Sequence, residues 1–376
     1  MLQSARDVDR RAGNRPLKML WSLWPTVIPL IGLGLLEAAA LNSSPGALFT
    51  AICGLALIGC VVAAVHHAEV VAHRVGEPFG TLVLALAVTA IESSLIVSVM
   101  LAGGEAKASL ARDTMYATVM IIVNGVVGAC ILLGALRHRE QVFRIEGAGP
   151  ALAALATLAT LVLVLPAFTV SIEGPRYTRS QLAFVGVSSF TVWCVFVFFQ
   201  TIRHRDYFLP PPGAPEDVHA APPTTRQALG SFALLLVSLV AVVGLAKVLS
   251  PAIEAAVRNA GWPPAVVGIA IALLVLMPEA LAAVRSALAN HLQTSMNLAL
   301  GSGLATIGLT VPVVVVVCIW LNIPIVLGLG PMEIALLALT FLVGTIGVGG
   351  GGRTSMMQGV VQLVIFAAFV FLAIVP

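Results

Sequence analysis

Two glutamates stand in the middle of long apolar stretches of this chain. Glu92 lies in GTLVLALAVTAIESSLIVSVMLAG (80–103), and Glu279 lies in PPAVVGIAIALLVLMPEALAAV (263–284). A carboxylate at the depth of a bilayer is costly, so it usually faces a water-filled cavity or an ion path. Two such carboxylates, one in each half of the chain, predict a cation site that an internal repeat assembles.

The surroundings of the two glutamates differ. Pro278 directly precedes Glu279, and because proline has no N–H, the carbonyl of Leu274 loses its helical partner. In a membrane that oxygen needs another partner, such as a cation or a cavity water; the alternative is a simple packing kink. Beside Glu92 stand Thr89 and Ser93, whose hydroxyl oxygens suit hard cations. The alternative for both is that they only bond helix carbonyls.

The helix that follows each glutamate carries further polar residues. After Glu92, Asp113 and Asn124 share one helical face, and Asp113 either attracts cations at the outer mouth or forms a surface ion pair with Arg112. After Glu279, a stripe of small and polar residues either lines a path or permits close helix packing. The predicted cation-site residues there are Asn297, Ser302 and Thr306, with Asn290 and Ser295 as path residues.

The run HHAEVVAHR (66–74) places His66, Glu69 and His73 on one face of a predicted helix. His66 and His73 are candidates for sensing pH. Metal binding and ordinary charged helix ends are the alternatives. The chain shows no nucleophile–base arrangement and no phosphate-binding loop, so we predict a transporter rather than an enzyme, without a cofactor.

Composition defines the elements that must position these residues. The chain has 376 residues, of which 59% are hydrophobic and 10% charged, and its mean hydropathy is +1.03. Such values require many membrane spans, so the predicted fold is an all-α polytopic membrane protein with about eleven transmembrane helices. The expected partners are the lipid bilayer, small cations and protons; the small net charge of +3 gives no sign of nucleic-acid binding.

One long polar linker divides the apolar segments into two sets. We predict a basic tail over 1–19, a first helix over 20–40, a five-helix repeat over 41–202, a Pro/Ala-rich linker over 203–228 and a second five-helix repeat over 229–376. Because five is odd, the second set starts from the opposite side of the membrane, which gives an inverted repeat plus an additional first helix. Clustered basic residues after every second span place the N-terminus in the cytoplasm and the C-terminus outside.

Several segments carry a resemblance to a known family. GEPFGTLVLALAVTAIE (76–92), ARDTMYATVMIIVNG (111–125), LRHREQVFRIEGA (136–148), ANHLQTSMNLALGSGLATIGLTVP (289–312) and the C-terminal GRTSMMQGVVQLVIFAAFVFLAIVP (352–376) resemble bacterial calcium/proton and sodium-potassium/proton antiporters. That family belongs to the calcium/cation antiporter superfamily. The resemblance covers nearly the whole chain and implies a bacterial inner-membrane location.

In that superfamily each of two repeats brings one acidic residue to a central cation site, and Glu92 and Glu279 match those positions. The Gly-Asn pair that often precedes the acid is replaced here by Val88-Thr89 and Val275-Leu276. The resemblance therefore implies fewer amide oxygens at the site, modest affinity and acceptance of monovalent ions.

The resulting hypothesis is export of calcium, and of sodium or potassium, in exchange for protons by alternating access. A buried site with two charged carboxylates and no bound cation is strongly disfavoured. Either a cation or protons must therefore bind before the protein passes through the occluded state. The alternatives are a passive cation channel and a proton- or sodium-coupled solute symporter. A channel needs rings of ligands along an open path, and a symporter for an organic solute fits poorly with the few aromatic residues near the glutamates.

Overall fold

The computed structural model describes residues 15–41, 46–76, 79–209 and 223–376. Within these residues, ten helices are long and apolar enough to cross a membrane, and one more contains a shorter apolar stretch, Ala85–Leu101. In chain order the helices are α1 Arg15–Leu41, α2 Ala47–Val75, α3 Phe79–Gly103, α4 Leu110–His138, α5 Ile145–Phe168, α6 Arg179–Arg203, α7 Thr225–Asn259, α8 Ala265–Leu288, α9 Leu292–Leu321, α10 Pro331–Gly349 and α11 Met356–Ile374. The all-α polytopic fold class is thus confirmed.

The helices of the two halves pack in a reciprocal pattern. α2 packs on α7 and α5 packs on α10, so each of these helices meets its counterpart. α3 packs on α9, while α8 and α4, their respective counterparts, also pack on each other; α6 packs on α9 as α11 packs on α4. This is the arrangement of two five-helix units related by a pseudo-two-fold axis, with α1 outside it against α2 and α7.

α1 is fixed to α2 by a histidine that the sequence did not single out. Pro29 has no N–H, so the carbonyl of Pro25 lacks its helical donor. The Nε2 atom of His67 lies 2.9 Å from that oxygen, and the His67 residue is 4% exposed. His67 therefore satisfies the carbonyl that a proline leaves free, while the neighbouring His66 ring packs beside Trp24.

The structure corrects the start of α10. Hydropathy predicts a span over 324–346, but α10 begins at Pro331, and the preceding residues are extended. Proline at 324 and 331 and glycine at 328 and 330 disfavour a helix there. The extended backbone is instead satisfied across the bundle, since the amides of Val326 and Leu329 donate to Ala108 and Leu163 at 2.9 Å each.

The predicted linker is partly folded. Arg205–Phe208 forms one 3₁₀ turn, and α7 begins at Thr225 with a capping box between Thr224 and Gln227. The intervening residues 210–222, like residues 1–14 of the predicted tail, lie outside the described residues. At the same end of the bundle, β1 (Gln141–Val142) pairs antiparallel with β2 (Arg353–Thr354).

Candidate functional site

Glu92 is buried in the middle of α3 and is only 1% exposed. Its Oε2 accepts a hydrogen bond of 2.8 Å from the Thr306 hydroxyl and a longer one of 3.5 Å from Thr310. Both threonines belong to α9, in the other half of the chain, and both are at most 2% exposed. The first carboxylate is thus held by hydroxyl donors from the opposite repeat.

A wide helical turn presents these two threonines. Residues Thr306–Thr310 form a π-helical segment inside α9. Pro312 cannot donate to the carbonyl of Gly308, and Gly308 sits so close to α6 that an added Cβ would lie 2.6 Å from the Cβ of Trp193. A π-helical segment, Ile121–Val126, also interrupts α4, the counterpart of α9. Such segments occur often at functional sites.

The residues on the Glu92 helix itself behave differently from the threonines of α9. Ser93 donates to the carbonyl of Thr89 at 2.6 Å, so its hydroxyl follows the alternative interpretation, in which it bonds its own helix. Thr89 is buried, at 5% exposure. Thr306 was predicted from its spacing, whereas Thr310 was not; Thr310 continues the same stripe one turn further and could have been found by extending it.

Glu279 lies half-buried on α8, which continues through Pro278 without a break. Its Oε2 atom is buried and has no hydrogen-bond partner among the described residues. A buried carboxylate oxygen without a donor is unstable as an ion, so it needs a cation, a proton or water. Leu274 lies one turn before Pro278, whose missing N–H leaves the Leu274 carbonyl without its helical donor.

Asn124 is fully buried in the π-helical segment of α4. Its amide nitrogen donates to the hydroxyl of Thr340 on α10 at 2.8 Å. Its carbonyl oxygen has no hydrogen-bond partner among the described residues. Ser302, one turn before Thr306, is half-buried on the same face of α9. Like the Oε2 atom of Glu279, the carbonyl oxygen of Asn124 is therefore a buried acceptor without a hydrogen-bond partner among the described residues.

Asn297 and Ser295 hydrogen-bond to groups other than the two glutamates. Asn297 donates to the carbonyl of Phe208 at 2.6 Å and accepts from Gln293 at 2.9 Å, so it anchors the turn before the linker. Ser295 donates to the carbonyl of Ala283 on α8 at 2.7 Å. The Asn297 amide and the Ser295 hydroxyl each satisfy a backbone carbonyl; the place of Asn297 at the cation site and that of Ser295 along the cation path stay predictions.

Asn290 and Asp113 are also engaged at the ends of helices. Asn290 adopts φ +67° in the turn after α8 and accepts from Gln141 at 3.1 Å. Asp113 forms an ion pair with Arg112 at 2.7 Å, which is the alternative interpretation of this carboxylate. Of the two histidines proposed to sense pH, His66 is half-buried beside Trp24, and His73 is exposed in the last turn of α2.

Thr306→Val is expected to weaken cation loading. The variant keeps the shape of the side chain but removes the shorter hydrogen bond to Glu92, and a bond to a charged group is worth about 1.5–3 kcal/mol. We expect the half-saturating cation concentration to rise about tenfold. Thr310→Val is the matched control, because its bond at 3.5 Å is long and weak. Equal effects of the two substitutions would contradict the prediction that the Thr306 hydrogen bond matters more than the Thr310 hydrogen bond.

Asn297→Ala is expected to lower stability rather than cation affinity. The substitution leaves the Phe208 carbonyl without its donor, at a cost of about 1–3 kcal/mol. Thermal unfolding of the purified protein should occur at lower temperature, while the half-saturating cation concentration stays unchanged. Thr191→Val, at an exposed residue that bonds its own helix, is the control. A loss of cation affinity at unchanged stability would contradict this expectation and would support the predicted place of Asn297 at the cation site.

The fold is that of a polytopic all-α membrane protein. The sequence profile of the sodium/calcium exchanger protein family matches residues 46–202 and 230–375, one segment on each side of the linker. The chain belongs to this family.

Relatives and solved structures agree with that assignment. The chain is 46% identical to y4hA of Sinorhizobium fredii, a protein named for a proposed role in ionic transport, over 94% of this chain and 96% of the relative. It is 35% identical to the sodium-potassium/proton antiporter ChaA of Escherichia coli (strain K12), over 84% and 86% respectively. The fold is similar to that of native YfkE, with TM-score 0.71 and 17% identity over 94% and 100% of the two chains. It is also similar to the H⁺/Ca²⁺ exchanger CAX, with TM-score 0.67 and 14% identity over 93% and 88%.

Proposed function

We propose that this protein exports calcium, and sodium or potassium, in exchange for protons, by alternating access at a site formed by Glu92 and Glu279. The observation that carries the proposal is the pairing itself. One carboxylate from each half of the chain lies on an equivalent helix; Glu92 is 1% exposed, and the Oε2 atom of Glu279 is buried without a hydrogen-bond partner among the described residues. The names of the relatives ChaA and CAX support the same class of exchange.

The charges explain why the exchange is coupled. Two ionised carboxylates in a low-dielectric site repel each other, and a bound divalent cation or two protons compensate them. Burial penalises the empty, doubly charged site most. The protein therefore does not switch between its inward-open and outward-open conformations in that state. Neutral oxygens from Thr89, Asn124, Ser302 and the carbonyl of Leu274 supplement the carboxylates as candidate ligands. Hydroxyl, amide and carbonyl oxygens suit calcium and accept monovalent ions.

The proposal includes a location and an orientation. The N-terminus lies in the cytoplasm and the C-terminus in the periplasm of a bacterial inner membrane. The two-stranded β1–β2 pair lies at the end of the bundle where basic residues of 137–144 and 353 gather. Positive charge concentrates on the cytoplasmic side of membrane proteins, which supports this orientation.

The experiment uses everted membrane vesicles whose lumen has been acidified by respiration, from cells that lack other cation/proton antiporters. Calcium, sodium or potassium is added singly to the outside, and a pH-sensitive dye reports the lumen. Each transported cation should enter and release protons, which dissipates the pH gradient. A cation current without proton release would support a channel, and a response that requires an organic solute would support a symporter; either contradicts the proposal.

A further inference from the structure

Thr340 sits on α10, in the fourth helix of the second repeat, and is fully buried. Its hydroxyl donates to the carbonyl of Leu336, one turn earlier on the same helix, at 2.8 Å. A hydroxyl has a single hydrogen and two lone pairs, so once that hydrogen is used the oxygen can only accept. Around it stand the sulfur of Met120 at 3.4 Å and the amide of Asn124 at 2.8 Å.

This hydrogen count agrees with the direction of the Asn124 amide. The two ends of an amide are similar in shape, and their orientation follows from the hydrogen bonds they make. Both groups that face Asn124, the Thr340 oxygen and the Met120 sulfur, at 2.8 Å and 3.8 Å, act as acceptors. With the Thr340 hydrogen on the Leu336 carbonyl, the NH₂ end of Asn124 points to Thr340 and the carbonyl oxygen points away from it.

That carbonyl oxygen is left without a partner among the described residues, in a residue with 0% exposure. Leaving a buried acceptor unpaired costs about 1–3 kcal/mol, so a bound cation or a water is expected to satisfy it. The π-helical segment that carries Asn124 packs against α8, the helix of Glu279, and against α9, the helix of Thr306. Its residue Ile122 lies beside Gly303, one turn from Thr306, where an added Cβ would be 3.3 Å from the Ile122 Cδ1.

We propose that Thr340 is a positioning residue that holds the Asn124 amide so that its carbonyl oxygen serves as a neutral ligand for the transported cation. Thr340 does not touch the cation; it acts only through Asn124. The inference rests on the proposed function, since it assigns one more contributor to the same site. It also gives a role to a buried hydroxyl on a helix that carries neither glutamate.

Thr340→Val tests the inference because valine keeps the shape and removes the acceptor. The amide of Asn124 then loses the partner that orients it, so the half-saturating concentration of calcium in the vesicle assay should rise about tenfold. The maximal rate should stay within about twofold, because both carboxylates remain. Thr340→Ser restores the hydroxyl and should restore the wild-type half-saturating concentration.

Thr345→Val is the matched control on the same helix. Thr345 makes the same kind of bond to the carbonyl four residues earlier, at 2.7 Å, but is exposed. It should transport as the wild type does. If Thr340→Val unfolds, Thr340→Ala makes the same test with a smaller side chain, and calcium-induced thermal stabilisation of the purified variant is the second measurement. It should need about tenfold more calcium than the wild type.

Wild-type calcium dependence of a folded Thr340→Val or Thr340→Ala variant would overturn the inference. An equal loss in Thr340→Ser would overturn it as well, because the hydroxyl would then not be what matters. Failure of the proposed function is distinguishable, since it would appear as normal exchange by Glu279→Gln in the same assay. In that case the glutamate pair fails first, whatever Thr340 does.

Discussion

Glu279→Gln is expected to abolish cation-dependent proton release from everted vesicles while the protein remains folded in the membrane. The substitution keeps the size of the side chain and removes the negative charge that is proposed to bind the cation. A buried charge pair interacts by several kcal/mol, and about 1.4 kcal/mol corresponds to a factor of ten. We therefore expect exchange to fall roughly 100-fold or more for each tested cation.

The matched control for this substitution is Glu37→Gln. Glu37 is an exposed carboxylate on α1, outside the two repeats, so the same chemical change there should leave exchange intact. The amount of each variant in the membrane is measured by immunoblotting. Normal exchange by Glu279→Gln at normal abundance would remove the second carboxylate from the account.

Glu92→Gln should be as inactive as Glu279→Gln and yet at least as stable as the wild type. The amide oxygen of glutamine still accepts from Thr306, which donates to Glu92 at 2.8 Å. The substitution also removes a charge from a site with 1% exposure, and burying a charge is costly. Thermal unfolding of the purified variant, measured beside vesicle exchange, separates the two effects.

Ser93→Ala is the control on the same helix. Its hydroxyl bonds the Thr89 carbonyl of its own helix, so its loss should change exchange little. An inactive and unstable Glu92→Gln would mean that the carboxylate serves the fold. An active one would mean that one glutamate is sufficient.

Hydropathy was enough to predict the membrane-spanning helices and to place Glu92 and Glu279 inside two of them. A carboxylate in an apolar span is visible in the sequence because its cost is a local property of composition. Spacing placed Thr306 in the same predicted site as Glu92, but the hydrogen bond between them is visible only in the structure. The division at the linker agrees with the reciprocal packing of α2–α6 and α7–α11.

Other features depend on partners that are distant in the chain. Asn297 carries an amide oxygen of the kind that binds cations, but that oxygen accepts from Gln293, and the amide nitrogen donates to the carbonyl of Phe208, 89 residues away. The start of α10 was misplaced because the extended segment before it is apolar and satisfies its backbone through Ala108 and Leu163. The π-helical segments of α4 and α9 change the helical register locally, and a regular period cannot predict them.

The most direct test of the central claim is simultaneous measurement of calcium uptake and proton release in liposomes that contain only the purified protein. The account predicts that both fluxes occur together in a fixed ratio, that neither occurs without the other, and that both disappear in Glu92→Gln and in Glu279→Gln. Calcium uptake without proton release, or coupled fluxes that survive both substitutions, would contradict it.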